Sequence, residues 1–542
     1  MPVCLLLIAI AATATSSCGR DSGVNEMENP QATPAVLRRG NGGDPQTLDP
    51  AKAEDVHSFR VLTDLFEGLV TLDASGNVTA GAAERWELSE DGLTYTFQLR
   101  QNLVWSNGEE LTADHFVAGF KRTLEPEVAS TYGFLLHSVR NANEVALGNL
   151  PPSSLGVSAP DPQTLVIELD SPAPHFLAVL AMPVAFPFLA DSPSESDTSA
   201  GPQHFVSNGP FFLDDWQPGH RIRLQKNPLF HDADSVHIDT VEYYAIQDLL
   251  SELNMYRAGE LDITASVPGA NVEELRVSRD SELRISPSLA IYYLAFDLSE
   301  APFDDIALRQ ALSMAIDRSA LVDVIGRGEQ PAYGLVPDGV SAYTPSRYDW
   351  QSLGDTEREN EARRVFRSSR HHGNDSLQLK LTYDVGDIHE RVAVAVSSMW
   401  RDVLGIDVEL DKREWQYFLE TRGNRDEWQI MRFAWTGDYN HASTFTDILL
   451  SASPQNLPGY QSPRFDSLVA AALAEQDTST QARLLASAEA EMLGDYPIVP
   501  LYFYVSKHLV SPAVRGFNSN VLDQHPSRFM SKIEESPSKT AD

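Results

Sequence analysis

The chain has 542 residues, which at about 150 residues per domain corresponds to three or four domains. Apolar residues make up 42% and charged residues 22%, a balance that is typical of soluble globular proteins and excludes a collagen-like or mainly disordered chain. The 41 Lys and Arg residues against 77 Asp and Glu residues give a net charge of −36. Because phosphates require a basic surface, this charge argues against a nucleic-acid partner and against a polybasic membrane-surface protein.

The N-terminal segment has the character of an export signal. Residues 3–12 are apolar and are followed by small residues up to Cys18, a stretch that is too short to span a bilayer. Residues 1–17 are therefore predicted to be a signal peptide. The small residues before Cys18 resemble a bacterial lipobox, in which the cysteine is lipidated, although the start lacks Lys or Arg and Thr15 stands where Leu is usual. A plain cleaved signal or a free thiol is the alternative.

Both cysteines of the chain lie in this signal region. If Cys18 carries a lipid, no disulfide can form in the mature chain, and its hydrophobic core must hold the fold together. Residues 18–35 are predicted to be a flexible tether, and residues 534–542 a flexible tail. The apolar stretch 176–190 is short and contains two prolines, which indicates a buried segment rather than a membrane span.

Three elements are clear in the first part of the chain. Apolar and polar residues alternate over 94–99, which predicts a half-buried strand. Thr112 is predicted to cap a helix whose apolar side includes Phe120. Asp304 or Asp305 is predicted to begin another helix, because apolar residues follow it at helical spacing.

The region 377–435 has the pattern of an α/β unit. Its predicted elements are a strand over 377–383, a helix over 388–399, a strand over 406–410, a helix over 415–421 and a strand over 429–434. This order predicts a parallel sheet with right-handed crossovers. Because such sheets bind ligands beyond the carboxyl ends of their strands, Arg432, Trp435 and Asp438 are well placed to meet a ligand.

Compact catalytic and metal-binding signatures are missing from the sequence. There is no nucleophile elbow, Walker A loop, dinucleotide-binding glycine pattern or zinc-protease helix motif. His371 and His372 lie in a polar stretch without nearby cysteines, so neither a metal site nor a cofactor is predicted. A binding protein is the leading class. A secreted peptide hydrolase is the runner-up, since a catalytic triad is assembled in space and leaves no compact pattern.

An ordered series of segments resembles the solute-binding proteins of bacterial oligopeptide ABC transporters. The series runs from about residue 36 to residue 530, and its order is more specific than any one segment. The matching segments are TLDP (47–50), DLFEGL (64–69), AERW (83–86), YTFQLR (95–100), WSNG (105–108), LTAD (111–114), SNGPF (207–211), YRAGELD (256–262) and RQAL (309–312).

The resemblance implies an α/β fold of the periplasmic-binding-protein type II class, in which two α/β lobes close on the ligand and an additional domain is inserted. On that pattern the ranges are 36–67, 190–290 and 506–533 for lobe I, 68–189 for the inserted domain, and 291–505 for lobe II. The predicted α/β unit falls inside lobe II.

The resemblance also implies a non-enzymatic function. The protein would capture oligopeptides in extended form and deliver them to inner-membrane ABC permease subunits, as a monomer in the periplasm that is attached to the membrane only through lipidated Cys18. The same fold with another cargo (murein peptide, nickel chelate, oligosaccharide or haem) is an alternative. A signalling receptor that does not feed a permease is a further alternative.

An extended peptide presents an α-ammonium, backbone groups, side chains and a carboxylate. A receptor for many sequences must hold the first two and leave roomy pockets for side chains. Asp438 resembles the family's aspartate that holds the ammonium, while an Asp in a turn before Asn440 is the structural alternative. Trp435 and Tyr132 match aromatic residues that line side-chain pockets, although a core Trp has the same appearance in a sequence.

The resemblance assigns the far end of the peptide to Arg432 and His389, which match positions that can meet its carboxylate. Ordinary structural ion pairs are the alternative for both. Other positions that match the lining of the site are Glu54, Val56, Trp415 and Arg422. Where some relatives carry a disulfide, this chain has Ala290 and Thr436, which implies an intact fold with looser surroundings for Asp438.

Overall fold

The computed structural model describes residues 34–190, 205–374, 377–422 and 424–533. The predicted signal peptide, Cys18, nearly all of the tether and the predicted tail lie outside these residues. The strands are β1 Val36–Gly40, β2 Val70–Leu72, β3 Val78–Ala80, β4 Ala83–Leu88, β5 Thr94–Leu99, β6 Val157–Asp161, β7 Thr164–Glu168, β8 Phe211–Gln217, β9 Arg221–Lys226, β10 Thr240–Tyr244, β11 Leu283–Phe296, β12 Gln330–Pro331, β13 Leu379–Asp384, β14 Val408–Arg413, β15 Ile430–Thr436, β16 Ile498–Leu509, β17 Val514–Arg515 and β18 Ser531–Lys532.

The helices are α1 Val56–Leu65, α2 Ala113–Thr123, α3 Ala142–Ala146, α4 Phe176–Leu180, α5 Leu249–Arg257, α6 Val272–Ser278, α7 Ile306–Ala315, α8 Arg318–Ile325, α9 Asp355–Ser368, α10 Asp387–Leu404, α11 Trp415–Arg422, α12 Ser443–Thr446, α13 Pro463–Ala474 and α14 Thr478–Asp495. Short 3-10 turns lie between them.

The strands form two principal sheets and several smaller ones. The first has the order β1-β10-β9-β8, in which β1 and β10 are parallel and the other pairs are antiparallel. The second has six strands in the order β12-β16-β11-β15-β13-β14. A further four-stranded sheet has the order β4-β5-β7-β6, and two ribbons pair β2 with β3 and β17 with β18.

The predicted α/β unit is present as β13, α10, β14, α11 and β15, and β13 pairs in parallel with both β14 and β15. Helix α10 covers the sheet with a buried stripe that includes Val392, Val396 and Trp400. It ends at Gly405, whose φ of 72° is the left-handed conformation that glycine tolerates best. The expectation of a purely parallel sheet is corrected, because β15 pairs on its other edge with β11 in antiparallel register.

Strands β11 and β16 are the longest in the described chain, with 14 and 12 residues, and they pair with each other in antiparallel register. Their ladder is irregular between Pro287 and Ile291. One large core contains β11 from Leu289 onward and β16 as far as Phe503, whereas Leu509 belongs to a small separate cluster. The predicted lobe boundaries at 290/291 and 505/506 fall inside these two strands, and the lobe ranges stay a prediction.

The earlier single-element predictions are confirmed. Strand β5 buries its apolar residues on one face, α2 begins after Thr112, and α7 begins after Asp305, whose side chain accepts a hydrogen bond from the Ala307 backbone at 3.0 Å. The apolar stretch 176–190 packs into the core around α4. Among the described residues, no helix combines the length and the apolar character that crossing a bilayer requires.

Candidate functional site

Strand β15 and the segment after it carry three of the predicted site residues, and a glycine fixes the path of the chain after the strand. A Cβ atom on Gly437 would lie 2.7 Å from a Thr444 side-chain carbon and 2.8 Å from one of Leu289, so no larger residue fits without movement. The Gly437 N–H also donates to the Leu289 carbonyl at 2.8 Å. The chain is thereby held against β11 immediately before Asp438, which places that carboxylate at the end of the strand.

Asp438 is half-buried and lines a cavity of about 300 Å3. The cavity is formed by side chains from 72–78, 174–182, 341–342, 438–441, 478–481 and 522–524. Burial raises the pKa of the Asp438 carboxyl above its usual value. No hydrogen bond or ion pair connects this carboxylate to another residue in the part of the chain that the structure describes. A partly desolvated carboxylate without a counter-ion is suited to receive a cationic group from a ligand.

Tyr132 lies within electrostatic reach of both Asp438 and Glu54, although the three residues are far apart in the sequence. Burial, then the charges of Asp438 and Glu54, raise the pKa of the Tyr132 hydroxyl. The Tyr132 ring packs edge-on against Phe59 of α1, with 5.7 Å between ring centroids. Glu54 is exposed just before α1, and Val56, the first residue of that helix, is 57% exposed. The structure therefore places Tyr132 near two carboxylates that come from distant segments of the chain.

Trp435 is half-buried on β15 and lies opposite Ile291 of β11. Its indole Nε1 is buried and has no hydrogen-bond partner among the described residues. The neighbouring register pair is Ala290 and Thr436, the two positions for which the family resemblance implied a missing disulfide. Their direct pairing shows that the two strands are in register here without a cross-link.

Arg432 and His389 converge on Asp384, a residue that sequence reasoning missed. Arg432 Nε donates a hydrogen bond to Oδ1 of Asp384, a terminal guanidinium nitrogen forms an ion pair with the same oxygen, and both side chains are buried. His389 Nε2 lies 3.8 Å from the other oxygen of Asp384. The Tyr292 hydroxyl lies 3.2 Å from His389 Nδ1, and its ring stacks on the imidazole at 5.7 Å. These two predicted ligand residues thus already contact an internal carboxylate.

Trp415 and Arg422 lie at opposite ends of α11. Trp415 is 54% exposed, and its ring stacks on Phe418 with 6.0 Å between centroids. Arg422 donates to the Gln455 side chain at 3.0 Å, and its guanidinium lies 5.9 Å from the centre of the Phe433 ring. Trp415 therefore offers a large aromatic surface to a ligand, whereas Arg422 is partly engaged within the protein.

One group of side chains among the described residues has metal-ligand spacing: His508, Asp523 and His525. His508 places Nδ1 2.8 Å from the Thr264 carbonyl and Nε2 2.6 Å from the Asp523 carboxylate. Arg60 lies 3.3 Å from the same carboxylate. Both ring nitrogens of His508 are therefore occupied by contacts within the protein. The group forms an ion-pair network that ties the end of β16 to the segment beyond it.

Comparison with known proteins identifies the family. Residues 77–456 match the model of the bacterial extracellular solute-binding proteins, family 5. The chain is 34% identical to the periplasmic oligopeptide-binding protein of Salmonella typhimurium over 521 residues, which cover 95% of this chain and 94% of that protein. It is 35% identical over 491 residues to an Escherichia coli protein named "Probable deoxycholate-binding periplasmic protein", with 90% and 91% covered.

Solved structures of similar proteins match the fold of this chain over most of its length. A murein tripeptide-binding protein in its unliganded open form matches with a TM-score of 0.88 at 30% identity, over 93% of this chain and 98% of that one. Another structure of the Escherichia coli murein tripeptide-binding protein gives 0.71 at 31% identity, over 93% and 99%. The Haemophilus influenzae oligopeptide-binding protein in complex with RPPGFSPFR gives 0.69 at 30% identity, over 92% and 99%.

The two murein-binding structures match with nearly equal identity and coverage, and the TM-score is higher for the unliganded open form. The present structure resembles the unliganded open form. The mixed α/β sheets are those of periplasmic-binding proteins of the same family. The chain belongs to the bacterial extracellular solute-binding proteins of family 5.

Proposed function

We propose that this protein is an extracytoplasmic solute-binding protein that captures oligopeptides in extended form and delivers them to an ABC-type peptide permease. The observation that carries the proposal is Asp438, a half-buried carboxylate at a strand end that has no cationic partner in the described chain. A peptide α-ammonium supplies the missing charge. The relatives that are named oligopeptide-binding proteins support the same cargo.

The proposed site has three parts. Asp438 pairs with the α-ammonium, with Tyr132 and Glu54 beside it and Val56 at the start of α1 next to Glu54. Trp435 and Trp415 provide aromatic surfaces that accept varied side chains without strict hydrogen-bonding demands. Arg422, Arg432 and His389 surround the far end of the peptide. Binding proceeds without chemical conversion, cofactor or metal.

Calorimetric titration of the full chain with a mixed pool of tri- to pentapeptides tests this function. We expect saturable binding and intact recovery of the peptides after long incubation. Cleavage of the peptides would establish a hydrolase instead. Sodium deoxycholate serves as the contrasting ligand because it is an anion without an amine, and Asp438 should repel it. Binding of deoxycholate in the absence of peptide binding would overturn the proposal.

A murein peptide is the second candidate cargo, supported by 31% identity over 480 residues to a protein of Escherichia coli that is named a periplasmic murein peptide-binding protein. Direct competition between a murein tripeptide and the peptide pool distinguishes the two cargoes. We expect the murein peptide to be one of several accepted ligands. Exclusive binding of the murein peptide would identify it as the physiological cargo.

The proposal includes a periplasmic monomer that is attached to the membrane by a lipid on Cys18. Fractionation of cells that express the full chain should place the wild-type protein with the membranes. Cys18→Ser should release it into the soluble envelope fraction. Release of both proteins to the same extent would contradict the lipid anchor and leave the peptide-binding role unaffected.

A further inference from the structure

We propose that Asp384 determines which ligand group is accepted at the far end of the binding site, around Arg432 and His389. A neutral amide is favoured there over a free carboxylate. The inference rests on the proposed peptide-binding function and deepens it. It is the opposite of the simplest expectation, which is that positively charged Arg432 and His389 bind the peptide carboxylate.

The guanidinium of Arg432 is already neutralised inside the protein. Its Nε donates a hydrogen bond to one oxygen of Asp384, and a terminal nitrogen forms an ion pair with the same oxygen. The side chains of Asp384 and Arg432 are only 7% and 10% exposed. Aromatic rings flank the guanidinium carbon at 5.1 Å (Phe418) and 5.9 Å (Tyr292). The pair is therefore held rigidly by packing, and water screens it little.

His389 does not restore positive charge to this end of the site. Burial, and then the neighbouring Arg432, lower its pKa, while Asp384 acts in the opposite direction. The ring is therefore neutral at neutral pH, and Arg432, His389 and Asp384 together carry no net charge. Exposed Arg327 is a weaker influence on the pKa of His389.

The remaining charges near this cluster are also paired or peripheral. Lys507 lies 3.4 Å from the Glu329 carboxylate, which balances it. Arg327 has no ion pair within the described part of the chain, but its exposure means that a carboxylate bound to it would lie at the solvent edge rather than against Arg432. Neither cation compensates a second carboxylate beside Asp384.

A ligand carboxylate at hydrogen-bond distance from Arg432 would lie next to the carboxylate of Asp384. Like charges at such separations disfavour each other, and the effect is strongest where water is excluded. A peptide amide, from a C-terminal amide or from the backbone of a longer peptide, can accept a hydrogen bond at the same place without that repulsion. The geometry therefore favours ligands whose free carboxylate is absent from this position.

The test compares alanine tri-, tetra- and pentapeptides as free acids and as C-terminal amides, by calorimetry on the full chain at neutral pH. The measured quantity is the ratio of acid affinity to amide affinity at each length. Asp384→Asn removes the internal charge while keeping the size of the side chain. We expect it to shift the ratio toward the acid by about tenfold or more at the length whose end reaches Arg432.

Asp411→Asn is the matched control. Asp411 lies on the adjacent strand β14 and pairs with Arg413 at 2.9 Å, so its loss also removes an Asp–Arg pair from the same sheet. We expect Asp411→Asn to leave the ratio unchanged at every length. Partial unfolding of a variant lowers acid and amide binding together, so it does not alter the ratio.

An unchanged ratio in Asp384→Asn at all three lengths would overturn the inference while leaving peptide binding established. Should Asp384→Asn fail to fold, the wild-type ratio decides: a tenfold preference for the acid at every length would equally overturn it. Failure of the wild-type protein to bind either form would instead refute the proposed function, and this inference with it.

Discussion

Replacing Asp438 by Asn should weaken peptide binding strongly and make the unliganded protein more stable. Loss of one partner from a partly buried charge pair costs about 2–4 kcal/mol, which is roughly a 30- to 1000-fold loss of affinity. The effect on stability has the opposite sign. Burial in the folded protein raises the pKa of this carboxyl above its usual value of 3.8. At neutral pH its negative charge therefore disfavours the folded state, and a neutral amide removes that cost.

The assay combines calorimetry with thermal unfolding. A tetrapeptide and its N-acetylated form are titrated into the wild-type protein and into Asp438→Asn. Acetylation removes the ammonium, so it should weaken wild-type binding about as much as the substitution does, and the two losses should not add. Asp447→Asn is the matched control, because burial raises the pKa of Asp447 to about 7, yet this residue does not line the cavity that contains Asp438. It should gain stability and keep its peptide affinity.

Two results would refute this reasoning. If Asp438→Asn binds the free tetrapeptide with an affinity within threefold of the wild-type affinity, the carboxylate does not hold the ammonium. Equal wild-type affinity for the acetylated and free peptides would show that the ammonium is not recognised at all.

Three further predictions concern other parts of the site and its support. Peptide affinity of the wild-type protein should fall as the pH is lowered through the raised pKa of Asp438, because a protonated carboxyl cannot pair with an ammonium. Calorimetry between about pH 4 and 7 should show a flatter dependence of affinity on pH for Asp438→Asn. Trp415→Ala should change stability by no more than about 0.5 kcal/mol, because the side chain is 54% exposed, but should lower peptide affinity several-fold in the same titration. Glu489→Ala should destabilise the protein in urea by about 3 kcal/mol or more, because buried Glu489 accepts hydrogen bonds from the loop 335–346 that would lose their partner.

Each of these predictions has a clear contrary outcome. Parallel pH profiles for the wild-type protein and Asp438→Asn would assign the pH dependence to another group. Unchanged affinity in Trp415→Ala would remove this tryptophan from the site. An unfolding free energy for Glu489→Ala within about 1 kcal/mol of wild type would mean that water replaces the lost acceptor.

The α/β unit could be predicted from local periodicity because the alternation in β13 and β14 and the helical stripe of α10 each fall within one short segment. The pairing of β15 with β11 could not, since strand register across more than a hundred residues leaves no local pattern. Asp438, Tyr132 and Glu54 come from distant segments, and only the family resemblance grouped them.

Asp384 was missed for a related reason. Its position at the carboxyl end of a predicted parallel strand is a usable signal for a ligand-facing residue. The same pattern gives no indication that a buried arginine on the adjacent strand β15 neutralises its charge. Ion-pair partners across a sheet become visible only when the side chains are in place.

Mass spectrometry of the ligand that remains bound during purification tests the central claim most directly. The protein is purified without denaturant, then unfolded, and the released small molecules are weighed and sequenced. A mixture of short peptides with free α-amino groups is the predicted result. Release of a bile acid, a sugar, a metal chelate or haem in place of peptides would contradict the assignment.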